Sequence, residues 1–311
     1  MKVYLERVGD VKPWNDQFIL FQELATKDDV KKHGLTNDLA SADLILSICH
    51  ADVRFAKLPY LDRRFVFCTY DTGFPNLPGL YPSLTTWNYN EKFARSAPYL
   101  PKPWIEADAN GQCLTRSYLF SFVGSSVTSP IRKRLLALPC ERSFLKDTSS
   151  DDAYKSDQSA EVYRRFQENY REALARSSFV LCPRGVGTSS IRLFETMRAA
   201  RVPVVISDDW VPPNGLPWGD FSLRVDEKDI ESIPARLEAI ESQAKKMGEL
   251  ARYFWESNFS EERVFNWMIG QFTEMLQIEG GRFRSWKACK LVDWRNVSDV
   301  TVPMIKRAII G

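Results

Sequence analysis

The stretch that most constrains this chain is Ser178 to Asp209, SFVLCPRGVGTSSIRLFETMRAARVPVVISDD. Phe179-Val180-Leu181-Cys182 is an apolar run too short for a helix, and it meets Pro183 and two glycines, so it reads as a buried strand. Gly185 and Gly187 permit positive φ and let backbone come close to a ligand, while Thr188, Ser189 and Ser190 offer an N-cap. The helix that follows runs from about Ser190 to Ala200. A second apolar run, Val202-Pro203-Val204-Val205-Ile206, then ends at the acidic pair Asp208-Asp209. Strand, glycine-rich turn, helix and strand in that order call for a parallel sheet, the geometry of a nucleotide site.

Ser189, Arg192 and Glu195 are spaced three apart and fall on the first turns of that helix, on the side where the loop opens. Free N–H groups at a helix N-terminus attract phosphate, an arginine one turn in can neutralise it, and a glutamate further along suits ribose hydroxyls. The same Arg192 and Glu195 spacing also makes a surface ion pair. The Arg-Gly-x-Gly loop and the two serines in front of it weigh toward phosphate. The loop carries neither the dinucleotide fingerprint nor the lysine of a phosphate loop, so a Rossmann dehydrogenase and a P-loop ATPase are both poor fits. Arg184 either meets phosphate or pins the turn by bonding carbonyls. Arg132, on the helix after Gly124, is either a second phosphate contact or a solvated arginine.

Several elements occur in a fixed order: Phe120-Ser121-Phe122-Val123-Gly124, Ile131-Arg132-x-x-Leu135, Leu181-Cys182-Pro183-Arg184-Gly185, Ser190-x-Arg192-x-x-Glu195, Val202 to Ile206 with Asp208, and Trp218-x-x-Phe221-Ser222-Leu223. The series resembles the nucleotide-binding half of the exostosin-like glycosyltransferases (glycosyltransferase family 47), over roughly residues 116 to 245. The resemblance implies an α/β chain of GT-B architecture, two Rossmann-like domains facing across a cleft. It implies an acceptor-side domain over residues 1–110, a nucleotide-sugar domain over 111–280 and a segment, 281–311, that returns to the first. Inverting transfer from a UDP-sugar donor to a polysaccharide or glycoconjugate acceptor is then expected. Gly124, Arg132, Arg184, Gly185, Gly187, Ser189, Ser190, Arg192 and Glu195 would form the donor site. The alternative within this fold is a catalytically inactive module that binds nucleotide sugars or glycans. No convincing Asp-x-Asp loop is present and Asp208-Asp209 are adjacent, so a helix N-terminus with Arg192, Arg132 and Arg184 is expected to carry the leaving group's charge, with no metal or other cofactor.

Composition bounds the rest. A chain of 311 residues suggests two domains. Lys and Arg number 42 against 40 acidic residues, so the net charge of +2 calls for no nucleic-acid partner. No long apolar run follows Met1, so neither a signal peptide nor a transmembrane segment is expected, and a cytoplasmic setting follows. The six cysteines are dispersed with no Cys-x-x-Cys, and the histidines are two, so neither a zinc site nor a disulfide framework is indicated.

In the first hundred residues, Lys2 to Leu5, Gln17 to Phe21, Ala42 to Ile48 and Arg64 to Thr69 read as strands of a second α/β sheet. Two of them run into polar ends, Cys49-His50-Ala51-Asp52 and Tyr70-Asp71-Thr72-Gly73, and ligands gather beyond the carboxyl ends of parallel strands. Asp71, between Tyr70 and Phe74, is the first candidate for general base, with a turn or N-cap role competing. His50, whose ordinary pKa suits the task, is the second, and Asp52 the third. Tyr99 to Gln112 reads as a linker, Lys146 to Ala160 as a flexible loop, and helices are expected near Glu161 to Arg176, Asp229 to Glu241 and Glu261 to Gln277.

Overall fold

The computed structural model describes residues 1–8, 17–49, 60–69, 71, 75, 78–101, 116–150 and 160–278. The apolar runs form two all-parallel sheets. The first is ordered β2-β1-β3-β4-β5-β6, from β1 (Lys2–Val8), β2 (Gly34–Leu35), β3 (Leu44–Cys49), β4 (Arg64–Cys68), β5 (Gly79–Tyr81) and β6 (Ala94–Ser96). The second is ordered β11-β10-β9-β7-β8, from β7 (Tyr118–Gly124), β8 (Ser143–Asp147), β9 (Ser177–Pro183), β10 (Val202–Ile206) and β11 (Leu223–Val225). The helices are α1 (Gln17–Lys27), α2 (Pro130–Leu136), α3 (Ala160–Ala175), α4 (Ile191–Arg198), α5 (Trp218–Phe221), α6 (Ile233–Ile240), α7 (Ala244–Asn258) and α8 (Val264–Gln277).

Strand side chains alternate between faces, so a parallel sheet covered on both sides needs unbroken apolar runs. In β9, Phe179 and Leu181 join Ile131 and Leu135 of α2 and Ile233 and Leu237 of α6 in one core. Val180 and Cys182 turn the other way, to a core with Leu193 and Met197 of α4 and Trp255 of α7. Each fully buried side chain of this size contributes about 1.5–3 kcal/mol. Burial pushes the Cys182 thiol up to about 12, so it stays protonated and is no nucleophile.

The structure departs from the sequence reading at three points that bear on the first domain. The run at Gln17 to Phe21 is not a strand but the start of α1, with Phe21 and Leu24 buried three apart on one face. Four apolar residues alone do not distinguish the two, and the helix formers Gln22, Glu23, Leu24 and Ala25 carry the helical turn onward. The three-residue strands β5 and β6 add an edge to the first sheet that no long apolar run announces. The element that crosses back to the first domain is α8, which the expected boundaries assign to the second; residues 281–311, the expected returning segment, lie outside the described residues.

In α8, Phe265, Met268 and Phe272 pack with Val3, Phe21, Phe65 and Phe67. Arg95 of β6 holds it from the side, bonding Glu274 at 2.6 Å and Gln271 at 3.0 Å. Among the described residues no helix is long and apolar enough to cross a membrane.

Candidate active site between the two domains

The carboxyl ends of β4 and β9 open onto one cavity of about 330 Å3, lined by Asp71 and Tyr99 from the first domain and by Thr128, Arg132 and residues of the Gly185 to Ile191 turn from the second. Small-molecule sites run from roughly 300 to 1,000 Å3. The cavity follows from topology, because loops leaving the carboxyl ends of neighbouring parallel strands splay apart.

On the second-domain side, Ser190 takes the N-cap position of α4 with extended backbone (φ −140°, ψ 132°), yet its side chain makes no capping hydrogen bond. Thr188 does not cap either, since its Oγ1 donates to the Leu84 carbonyl of the first domain at 2.9 Å. Ser189 is 6% exposed and lines the cavity, and its Oγ has no hydrogen-bond partner. Three hydroxyl residues precede the helix and none caps it, which leaves its positive end for a ligand.

Neither Gly185 nor Gly187 adopts positive φ; among the described glycines only Gly215 does, at 86°. What Gly187 supplies is close approach. A Cβ there would fall 2.7 Å from both the Asp71 carbonyl oxygen and the Ser83 Cβ, so any side chain would force the domains apart. Further contacts hold the same seam. Thr85 and Trp210 form an antiparallel bridge, and Thr86 bonds Asp209 through N–H to carbonyl at 3.2 Å and through Oγ1 to Oδ1 at 3.0 Å.

The predicted arginines divide by environment. Arg132 is buried and lines the cavity, and it supports the turn from beneath: Nε donates to the Arg184 carbonyl at 3.0 Å and Nη1 to the Ser125 carbonyl at 3.1 Å. Arg184 points away from the cavity and pairs with Glu227 at 2.6 Å. Arg192 runs under the end of β7. Its Nη2 donates to the Val123 carbonyl, its guanidinium carbon lies 4.7 Å from the Phe122 ring centroid, and a Cβ on Gly124 would come 2.7 Å from Nη2. Glu195 accepts from the Tyr170 hydroxyl at 2.6 Å, and burial, then that carboxylate, push the Tyr170 phenol well above its ordinary range. Arg192 and Glu195 are both buried, at 8% and 9% exposure, so neither belongs to a surface ion pair. Neither lines the cavity as Ser189 and Ser190 do.

On the first-domain side, Asp71 is exposed to the cavity and its Oδ1 accepts from Tyr99 Oη at 2.6 Å. His50 and Asp52 lie outside the described residues, as do the aromatic neighbours Tyr70 and Phe74. Sequence reasoning missed Tyr99, Ser83 and Thr128. Tyr99 was absorbed into a Pro-rich linker; recognising Ala94–Ser96 as a strand would have put it just beyond a carboxyl end. The acidic pair after β10 is taken up locally: Asp208 Oδ1 accepts from the Glu227 N–H at 2.8 Å, and Asp209 Oδ1 holds Thr86.

Two parallel-sheet α/β domains meeting at a cavity between strand carboxyl ends define the GT-B class of glycosyltransferase folds. A crystal structure of the glycosyltransferase AviGT4, involved in avilamycin A biosynthesis, superposes with a TM-score of 0.51 over 88% of this chain and 98% of that one at 13% identity, a likeness of fold. The exostosin GT47 domain matches residues 79–240, just over half of the 311 residues, and the chain belongs to the exostosin GT47 family. An exostosin-1 homolog of Caenorhabditis elegans is 40% identical over 91 residues, 28% of this chain and 24% of that protein. A rice protein (Oryza sativa subsp. japonica) described as a probable glucuronosyltransferase is 34% identical over 137 residues, 40% of this chain and 32% of that one. The matched segments therefore span less than a third of either relative.

Proposed function

We propose that the chain is an inverting, metal-independent glycosyltransferase that moves a sugar from a UDP donor to a hydroxyl of a polysaccharide or glycoconjugate acceptor. The observation that carries this reading is the buried, unpartnered Ser189 Oγ beside the uncapped end of α4, in the same cavity as the Asp71 carboxylate of the opposite domain. A diphosphate satisfies the first two and an acceptor hydroxyl the third. In the reaction Asp71 Oδ2 takes the acceptor proton, the acceptor oxygen attacks the anomeric carbon, and the bond from that carbon to the UDP oxygen breaks with its electron pair leaving on UDP. The N-terminus of α4 and Ser189 meet the charge that develops on the diphosphate, and Arg132, held beneath the turn by backbone carbonyls, adds its positive field. Attack on the anomeric carbon from the face opposite the departing UDP oxygen inverts the anomeric configuration. Membership of the exostosin GT47 family supports sugar transfer, and the rice relative is described as a probable glucuronosyltransferase.

Because Ser189 Oγ bonds nothing in the protein, removing it costs the fold little. Ser189→Ala is expected to keep the melting temperature of wild type while weakening UDP by about 1.5–3 kcal/mol, roughly 10- to 150-fold in Kd. Calorimetry returning an unchanged Kd would take the diphosphate off the α4 terminus. Saturating EDTA is expected to leave the rate of UDP release from UDP-sugars unchanged. Loss of that rate with recovery on adding Mn²⁺ would replace the helix-and-arginine account by a metal one.

A further inference from the structure

We infer that Tyr99 is the positioning residue of the Asp71 carboxylate, holding Oδ1 so that Oδ2 faces the acceptor. The inference rests on Asp71 being the general base as proposed above. Three polar atoms from separate segments form a closed triangle: Tyr99 Oη lies 2.6 Å from Asp71 Oδ1, Ser83 Oγ lies 3.3 Å from the same oxygen, and Ser83 Oγ and Tyr99 Oη are 2.8 Å apart. Each hydroxyl has one proton to give. The shortest assignment runs Ser83 to Tyr99 to Asp71 Oδ1, and among the described residues nothing donates to Oδ2. A carboxylate on an exposed turn rotates freely about its last torsion; one oxygen fixed by a phenol does not.

The phenol is itself held from two sides. Its ring packs edge-on against Phe194 of α4, centroids 6.5 Å apart at 69°, so the helix that would take the donor's phosphates also buttresses the residue behind the base. Ser83, at its hydroxyl end, is the residue against which Gly187 of the phosphate turn is pressed. Partial burial, then the Asp71 charge, push the Tyr99 phenol well above its ordinary value, so it stays a donor through any working pH. Among the described cavity-lining side chains only Asp71, Tyr99 and Arg132 carry or can carry charge. Arg132 is committed to the backbone carbonyls of Ser125, Pro183 and Arg184. Tyr99 is therefore the cavity residue placed to hold the carboxylate.

Tyr99→Phe in the full chain, assayed by UDP release from UDP-glucuronate, UDP-N-acetylglucosamine, UDP-galactose and UDP-xylose, tests this beside Asp71→Asn. Tyr99→Phe keeps the ring on Phe194 and is expected to lower kcat about 10- to 100-fold with UDP Kd unchanged. Ser83→Ala, which removes only the donor behind Tyr99, is expected to lower kcat by less, again with UDP Kd unchanged, and it carries the test if Tyr99→Phe does not fold. A kcat equal to wild type in either folded variant, with Asp71→Asn inactive, overturns the positioning role and leaves the base in place. Full turnover by Asp71→Asn overturns the base itself, and the inference with it.

Discussion

Asp71→Asn is expected to lower turnover by about 10²- to 10⁴-fold while UDP affinity stays near that of wild type. Asparagine keeps the size of the side chain, and its carbonyl oxygen can still accept from Tyr99 as Oδ1 does now. What it loses is the capacity to take a proton. The two readouts separate because Asp71 comes from the first domain and the proposed diphosphate contacts, Ser189 and the α4 terminus, from the second. An aspartate that merely shaped its turn would show the opposite pattern, a lower melting temperature with normal turnover of the folded fraction. An active Asp71→Asn beside a dead but folded His50→Gln would transfer the role to His50 and keep the inverting reading.

The glycine turn before α4 was legible in the sequence because its constraints are local. Pro183, the glycines and the three hydroxyl residues determine a strand end, a tight turn and a helix start within a dozen positions. What each residue does there was less legible. Gly187 reads as a glycine for positive φ and for close approach to a ligand, yet φ is not positive there and what approaches is the other domain's Ser83 and Asp71. Arg192 reads as a residue of the opening, yet it lies beneath Gly124 and against Phe122. Helical spacing gives the angular position of a side chain on its own helix and says nothing of which neighbouring element arrives to cover it. For the same reason Asp71 was visible as a strand-end carboxylate, while its partner Tyr99, 28 residues on, was not. The short edge strands that bring Ser83 and Tyr99 to the cavity are too brief to show a period of two.

Phe272→Ala is expected to destabilise the first domain by about 3–5 kcal/mol, with its melting falling by on the order of 10 °C or more, while UDP affinity measured well below that transition stays unchanged. The ring is fully buried, 5.3 Å from that of Phe65 on β4, in a core that also holds Val3, Phe21 and Phe67. Val264, Phe265, Met268, Ile269, Phe272 and Met275 are each at most 1% exposed, so α8 offers a whole apolar face to the first sheet and an alanine there leaves a cavity that rigid neighbours cannot fill. The second domain has its own two cores, built without any residue of α8 apart from the partly buried Trp267 at its start. A substitution late in the chain therefore weakens the domain made by its beginning. Should Phe272→Ala instead lower UDP affinity with first-domain melting untouched, α8 would be a brace of the second domain rather than the last element of the first domain's core.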